Sequence, residues 1–269
     1  YQVKGGTGLA SLTKLTEAVT HLYHEKGYFL AQAYFPEQEI AGGVLKMVVM
    51  EGSLGKVTVL GNQFYPEPFI RNHFAPEGTK QVRHQNFERS LLILNDQMDL
   101  KASGVFEMGK TPGQSDVTIR VEDLRPLHYT LDYNNFGSKL VSRDRFGAGV
   151  EIGNLLRTGS VFSLRAVVGS PVSRAMSGSA MYGAPVNFNG TRIKLALSGG
   201  DFDVGKQLTA LKISMKSIGW SVSATHPFIK TRTRTLSGEM GFDAQDFRQK
   251  VGLGNLRKSD RIRKLRSNL

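Results

Sequence analysis

The chain has 269 residues, with 30 glycines, no cysteine and a formal net charge of +12. The lack of cysteine excludes disulfides, zinc–thiolate sites and cysteine nucleophiles. The basic excess lies in one half, since residues 1–126 hold 13 Lys/Arg and 14 Asp/Glu whereas residues 127–269 hold 22 and 9. No apolar run approaches the roughly 18 residues that a membrane-spanning helix needs.

The first predicted element is an amphipathic helix over residues 9–26. Ser11 is a candidate N-cap, and Gly27 follows the last helical residue as a C-terminal stop. Apolar residues recur on one helical face: Leu12, Leu15, Val19, Leu22 and Tyr23. Strands are predicted next over residues 28–35 and 44–50, which gives the order helix, strand, strand.

The following block predicts a βααββ unit. A strand over residues 55–60 precedes a helix near residues 68–74, and a second helix is expected from Asn86, an acceptable N-cap. Strands over residues 100–108 and 116–122 complete the unit. Helices covering one face of a small sheet are the usual two-layer way to build such a core.

The domain organisation follows from these units and from a change of period at Leu127. Residues 1–51 would be the last three elements of a first βααββ domain, and residues 52–126 a complete second one. From Leu127 to residue 269, apolar and polar residues alternate with period two. This last region is predicted to be one large antiparallel β structure.

The strands predicted for this β region are similar in length. They cover residues 127–134, 145–152, 160–168, 175–184, 191–198, 217–225 and 232–243, with an eighth beginning near residue 261. Such lengths are close to the 9–11 residues that a tilted strand needs to cross a bilayer, and short turns alternate with long loops. A membrane barrel and a soluble β-sandwich with charged outer faces both fit this spacing.

The chain resembles a family through short motifs that recur in a fixed order. They are Tyr23-His24-Glu25-Lys26-Gly27-Tyr28, Pro36-Glu37-Gln38, Glu51-Gly52, Gly61-Asn62, Pro112-Gly113-Gln114-Ser115-Asp116, Asp132-Tyr133-Asn134-Asn135-Phe136-Gly137-Ser138, Gly153-Asn154-Leu155-Leu156, Tyr182-Gly183-Ala184-Pro185-Val186 and Thr225-His226-Pro227-Phe228-Ile229-Lys230. This series is similar to the outer-membrane transporters of bacterial two-partner secretion, of the haemolysin activator and filamentous haemagglutinin exporter type.

The resemblance implies a fold and a function. The expected fold is α+β, with periplasmic polypeptide-transport-associated (POTRA) domains followed by an antiparallel outer-membrane β-barrel, of which residues 127–269 would be about the first half. The expected function is capture of a secreted exoprotein in the periplasm and its passage, unfolded, through a basic pore. A barrel-assembly factor of the same superfamily and a soluble β-sandwich binding module are the alternatives.

Two groups of site residues are predicted. The strand over residues 100–108 and the groove beside the helix from Asn86 are expected to accept an extended client by strand addition. The client-binding residues would be Lys101, Val105, Phe106 and Phe87. The alternative is that Val105 and Phe106 only complete the small core. The polar sides of the later strands are expected to line the pore through Arg145, Glu151, Arg165, Arg192 and Lys194.

The densest basic stretch spans residues 257–266. Nucleic-acid or anionic-lipid binding fits such a run, and so does a strand that faces the pore or lipopolysaccharide, which we favour. No metal-ligand spacing, nucleophile elbow or phosphate loop occurs, so neither a cofactor nor an enzymatic activity is predicted. The expected partners are the exoprotein, outer-membrane lipid and lipopolysaccharide, without nucleic acid or a small-molecule substrate.

Overall fold

The computed structural model describes residues 9–39, 44–74, 83–111, 113–205, 210–252 and 256–269. The chain forms two units, Tyr1–Asp96 with Leu100–Asp123, and Gln97–Asp99 with Leu124–Leu269. Short helices and strands make up the first unit, and one large antiparallel sheet makes up the second. The three predicted domains, 1–51, 52–126 and 127–269, stay predictions.

The first unit begins with α1 (Leu9–Glu25), β1 (Gln32–Tyr34) and β2 (Val48–Met50). The two strands pair antiparallel, in the predicted order helix, strand, strand. Gly27 follows the helix in the left-handed region at φ +91°, which glycine adopts without steric cost. Ser11 lies inside α1, so its predicted role as the N-cap is wrong.

The predicted βααββ unit is present in the remainder of the first unit. Its elements are β3 (Ser53–Leu60), α2 (Glu67–Asn72), α3 (His84–Asn95), β4 (Leu100–Met108) and β5 (Gln114–Asp123). The strand order is β3–β5–β4, with β3 parallel and β4 antiparallel to β5. Helix α3 begins before Asn86, so Asn86 is not its N-cap. Pro112, in the predicted turn after β4, lies outside the described residues.

The core of this unit lies between α2, α3 and the sheet. Its buried residues come from every element of the βααββ unit: Val59, Tyr65, Ile70, Phe74, Leu94, Leu100, Val117, Ile119 and Val121. The Asp123 carboxylate accepts hydrogen bonds of 2.8–2.9 Å from the backbone N–H groups of residues 63–65. These bonds tie the loop before α2 to the end of β5. The packing and these bonds together fix the order of the sheet.

The second unit is a single sheet of eight strands. They are β6 (Leu127–Asn134), β7 (Arg145–Gly153), β8 (Val161–Gly169), β9 (Ala175–Pro185), β10 (Arg192–Asp203), β11 (Ile213–Lys230), β12 (Thr235–Val251) and β13 (Leu256–Asn268). Each strand pairs antiparallel with the next one along the chain. Within the described residues the sheet is not closed, because β6 and β13 each pair on one side only.

The register divides this sheet into two faces, because directly opposed residues of antiparallel strands point to the same side. We call one side the apolar face, defined by Leu131, Val150, Leu164, Leu195, Val222 and Phe242. We call the other the polar face, defined by Asp132, Arg165, Ser179, Ser198 and Gln245. In the part of the chain that the structure describes, no helix is long and apolar enough to span a bilayer.

Candidate functional site

Strand β4 lies at an edge of its sheet and pairs only with β5 among the described strands. The N–H of Gly109 donates to the carbonyl of Gln114, just beyond the last β4–β5 pair. Because hydrogen-bonded and non-bonded pairs alternate in an antiparallel ladder, the backbone groups of Gly104, Phe106 and Met108 point away from β5. These three residues form the candidate capture edge.

Asn95, the last residue of α3, occupies the other end of this edge. Its Oδ1 accepts a 2.7 Å hydrogen bond from the N–H of Ala102, and its Nδ2 donates to the Ala102 carbonyl at 3.0 Å. The same Nδ2 donates to the Leu91 carbonyl at 2.9 Å. The amide side chain therefore pairs with Ala102 as a neighbouring strand would, and the capture edge starts after Ala102.

The four predicted client-binding residues lie on both sides of this small sheet. Phe87 and Phe106 lie on the helix side, with ring centroids 4.7 Å apart, and pack against the core. Gly104 makes room for this contact, because a Cβ at Gly104 would meet the ring of Phe87 at 2.6 Å. Lys101 and Val105 both point to the opposite, exposed side of β4. The structure therefore brings Phe87 and Phe106 together and separates them from Lys101 and Val105.

A second aromatic contact reaches Phe106 from the loop after α1. The Phe29 ring lies 5.0 Å from the Phe106 ring and 5.6 Å from the His84 ring, edge to face in both cases. The N–H of His84 also donates to the carbonyl of Gly27 at 2.9 Å. The start of α3 and the middle residue of the capture edge, Phe106, are thus held by contacts from residues far away in sequence.

All five predicted pore-lining residues lie on the polar face. Opposed pairs place them there: Arg145 with Asn134, Glu151 with His128, Arg165 with Gly149, Arg192 with Pro185, and Lys194 with Gly183. The side chains differ in their partners. Arg192 donates to the Gly159 carbonyl at 2.8 Å and to Gln97 Oε1 at 3.3 Å, so it braces the turn between β7 and β8.

Arg165 makes an ion pair that sequence analysis did not predict. Its Nη2 lies 2.6 Å from Asp132 Oδ2, across the intervening strand β7. Gly147 lies between the two side chains, and a Cβ there would collide with both of them. A glycine inside a strand often marks such a close approach, and this is the signal in the sequence that points to the pair.

The polar face carries both signs of charge. Within the run over residues 257–266, the cations of β13 alternate between the faces, and the polar face receives Lys258, Lys264 and Arg266. Arg266 lies 2.8 Å from the Asp243 carboxylate and 3.7 Å from that of Glu239. The carboxylates that interleave with the cations limit the net charge of this face.

The apolar face consists of large side chains that are exposed, Leu131, Leu197 and Ile218 among them. A β-sandwich would bury these side chains against a second sheet. The described residues of the second unit form one sheet layer, so the sandwich alternative does not fit. Among the described residues, no cluster of His, Cys, Asp or Glu is arranged to hold a metal ion.

Comparison with known proteins assigns the family. Residues 2–52 match the POTRA domain of ShlB type, and residues 113–251 match the haemolysin secretion/activation proteins ShlB/FhaC/HecB. The chain belongs to this family. The match confirms the family predicted from the sequence, and with it an outer-membrane location with the POTRA-type domains in the periplasm.

One curated relative is the heme/hemopexin transporter protein HuxB of Haemophilus influenzae strain Rd KW20. It is 22% identical over 244 residues, which is 90% of this chain and 43% of HuxB. The chain therefore spans less than half the length of this relative.

Solved structures confirm the predicted fold. CdiB from Escherichia coli superposes with a TM-score of 0.77 at 18% identity, covering 97% of this chain and 49% of CdiB. BamA from Haemophilus ducreyi lacking POTRA domains 1–3 superposes with a TM-score of 0.53 at 14% identity, covering 99% of this chain and 53% of BamA. The α+β region followed by a large antiparallel sheet is thus the architecture of POTRA-plus-barrel proteins.

Proposed function

We propose that this chain is part of an outer-membrane translocator for two-partner secretion. Its first unit captures a secreted exoprotein in the periplasm, and the polar face of its sheet forms part of the wall of the pore through which the exoprotein passes unfolded. Family membership supports the transport of a protein partner. The proposal contains no catalytic step and no cofactor.

The observation that carries the capture step is the edge of β4 that pairs with no other strand among the described residues. An extended segment that pairs with Gly104, Phe106 and Met108 gains main-chain hydrogen bonds whatever its sequence, which suits a receptor for unfolded chains. Val105 and Met108 are exposed beside this edge and offer apolar contacts to the side chains of the client. Asn95 already pairs with Ala102, so it sets where an added strand ends.

The passage step is supported by the polar face. Serines and glycines dominate its central row, which runs across β8 to β11 through Arg165, Ser179, Ser198 and Gly219. Small side chains leave room beside an extended polypeptide, and the hydroxyl groups keep the wall hydrated. Fixed pairs such as Asp132 with Arg165 satisfy the larger charges within the wall. A client therefore meets a hydrated surface with few free charges in this row.

Met108→Pro tests capture, with Met108→Ala as the matched control. Both variants remove a side chain that is 95% exposed, but only proline also removes the N–H that points to the free edge. The loss of one hydrogen bond costs about 0.5–1.5 kcal/mol of binding free energy, which weakens client binding roughly 2- to 13-fold. The measurements are the affinity for the exoprotein's secretion domain and the amount of exoprotein in the medium. Equal affinity of the two variants for the secretion domain would show that the client does not bind to the edge of β4.

Photo-cross-linkers at Lys194 and Ile193 test passage. These neighbouring residues of β10 point to the polar and the apolar face respectively. During export we expect the exoprotein to be cross-linked from position 194 and not from position 193. Cross-links of equal yield from both positions would contradict a pore wall made of the polar face.

A further inference from the structure

Strands β10 to β13 carry a charged surface at one end of the sheet. This is the far end, defined as the end at which β6, β8, β10 and β12 finish. Six cations of these strands point to the side of the apolar face there: Lys216, Arg248, Lys250, Arg257, Arg261 and Arg263. Three carboxylates point the same way, Asp201, Asp203 and Asp246. We call these nine residues the basic rim.

Internal pairing neutralises only part of the basic rim. Lys216 Nζ lies 2.7 Å from Asp201 Oδ2, and Arg263 Nη1 lies 2.9 Å from Asp246 Oδ1. Four cations remain: Arg248, Lys250, Arg257 and Arg261. All four are exposed, and none of them forms an ion pair with another residue in the described part of the chain. The rim therefore presents uncompensated positive charge to its surroundings.

A depression in the apolar face lies beside the rim, because its floor residue Gly199 shares a cross-strand row with Asp246 and Arg261. Its floor is the row of small residues Ala166, Gly178 and Gly199, which are opposed across β8, β9 and β10. The depression has a volume of about 580 Å³, and Asp201, Lys216, Asp246 and Arg248 of the rim line its border. Two of these border residues are cations and two are carboxylates, and among them Arg248 forms no ion pair in the described part of the chain. A floor of small residues beside the unpaired cations of the rim suits an acyl chain attached to a phosphorylated headgroup.

The rim begins where the apolar stretch of the strands ends. Along β11 the apolar face runs from Ile218 to Ala224, which is about 20 Å along the strand at roughly 3.4 Å per residue. Lys216 is the next residue of this side beyond Ile218, so the charged rim follows directly on the apolar stretch.

The rim lies on the outer side of the membrane. The chain enters β6 directly after the POTRA-type unit, which is periplasmic, so β6 starts at the periplasmic side. Because consecutive strands run antiparallel, the far end of the sheet reaches the opposite surface. The outer leaflet there is made of lipopolysaccharide, whose lipid A carries phosphates on its sugars and acyl chains below them.

We propose that the basic rim and the depression beside it bind the lipid A part of lipopolysaccharide. Arg248, Lys250, Arg257 and Arg261 contact the phosphates, and one acyl chain lies over Gly178 and Gly199. This site requires that the sheet spans the outer membrane, and it is separate from the export of a client. With this site, the cations within residues 257–266 divide into one group that faces lipid and one group that faces the pore.

Trp220 provides the readout, since it is the one tryptophan of the chain and lies on the apolar face of β11 below Ile218. The protein, extracted from outer membranes as its host produces it, is titrated in detergent with bisphosphorylated lipid A that carries brominated acyl chains. Bound lipid quenches Trp220 fluorescence. We expect saturable quenching, and at least 10-fold weaker binding for the variant R248Q/K250Q/R257Q/R261Q.

A matched pair of variants on β13 separates the rim from general charge. R257Q/R261Q removes two cations from the rim, whereas K258Q/K264Q removes two cations of the same strand from the polar face. We expect a 3-fold or larger loss of affinity for the first variant and less than a 2-fold change for the second. Circular dichroism checks that each variant is folded. If the fourfold variant does not fold, the comparison of the two β13 variants tests the proposal.

Dephosphorylated lipid A with the same brominated chains is the chemical control. We expect it to bind wild-type protein as weakly as bisphosphorylated lipid A binds the fourfold variant. Equal affinity for the two lipids, or equal losses in the two β13 variants, would overturn the proposal. The readout is lipid binding and does not depend on export, so this proposal and the export proposal fail independently.

Discussion

The two units of the chain place their large apolar side chains in opposite environments. In the first unit Ile70, Leu94 and Ile119 are 0% exposed, whereas in the second unit Leu131, Leu197 and Ile218 are 85%, 63% and 67% exposed. Both units contain strands with alternating apolar residues. Alternation therefore shows that a strand has two different sides, and only the burial of the apolar side distinguishes a core from a surface that requires lipid.

The same contrast extends to polar groups. In the first unit Asp123 is buried and its carboxylate is satisfied by the backbone N–H groups of residues 63–65, so it organises a loop. In the second unit the charged groups lie along one face and pair across strands, as Asp132 does with Arg165. Both side chains of this pair remain partly exposed.

The largest effect is expected from Leu94→Ala in the first unit. Removing a fully buried leucine side chain leaves a cavity and lowers the free energy of unfolding by about 2–5 kcal/mol. Leu197→Ala on the exposed apolar face leaves no cavity, so we expect a change below about 1 kcal/mol. The described α-helices all belong to the first unit, and so helical circular dichroism during urea unfolding reports on it. Equal effects of the two substitutions would contradict the difference in environment.

Leu197→Arg tests the apolar face from the opposite direction. An arginine facing lipid near the bilayer midplane costs about 2–4 kcal/mol, so we expect poor assembly in the outer membrane and a matching loss of stability in lipid vesicles. Ser198→Arg is the matched control, because Ser198 is the next residue of β10 and points to the polar face. If Ser198→Arg were as harmful as Leu197→Arg, the assignment of the two faces would be wrong.

The smallest expected effect is on the pH dependence of the free energy of unfolding of the first unit. Burial lowers the pKa of His73 below its usual value near 6.5, although a hydrogen bond with the Phe69 carbonyl acts in the other direction. The unfolded state then binds more protons than the folded state. The contribution of neutral His73 to the free energy of unfolding is therefore complete above about pH 6.5. It is lost as the pH falls through the lower pKa of the folded state.

His73→Gln removes this titration, with His21→Gln at an exposed position of α1 as the control. We expect the free energy of unfolding of the first unit to depend less on pH between about 7.5 and 5 in His73→Gln only. The measurement is a series of urea unfolding curves at stepped pH. An unchanged pH dependence in His73→Gln would show that another group carries it.

Local patterns predicted the elements well where short-range physics decides them. Strand β4 was predicted with its observed bounds, and Gly27 ends α1 as expected. Strands β11 and β12 are longer than predicted, because their far ends carry Lys216, Arg248 and Lys250 where the apolar alternation has stopped. The alternation of apolar and polar residues therefore does not reveal the parts of a strand that extend beyond the apolar layer.

Long-range contacts account for what the sequence did not predict. Helix α3 starts at His84, whose N–H donates to the distant Gly27 carbonyl, and not at Asn86 with its favourable capping side chain. The pairing of Asn95 with Ala102 has no signal in the sequence, since any asparagine at a helix end looks the same. Only the register of β13 with β12 shows which cations within residues 257–266 point to the apolar face and which point to the polar face.

The most direct test of the central claim, that the apolar face contacts lipid, is the accessibility of spin labels. Labels are placed one at a time at Leu131, Val150, Leu164, Ile193 and Leu195 on the apolar face, and at Lys194 and Ser198 on the polar face. In membranes we expect oxygen to relax the first five labels more strongly than a water-soluble nickel chelate does, with the opposite order at positions 194 and 198. Preferential access of the nickel chelate at the first five positions would contradict the account.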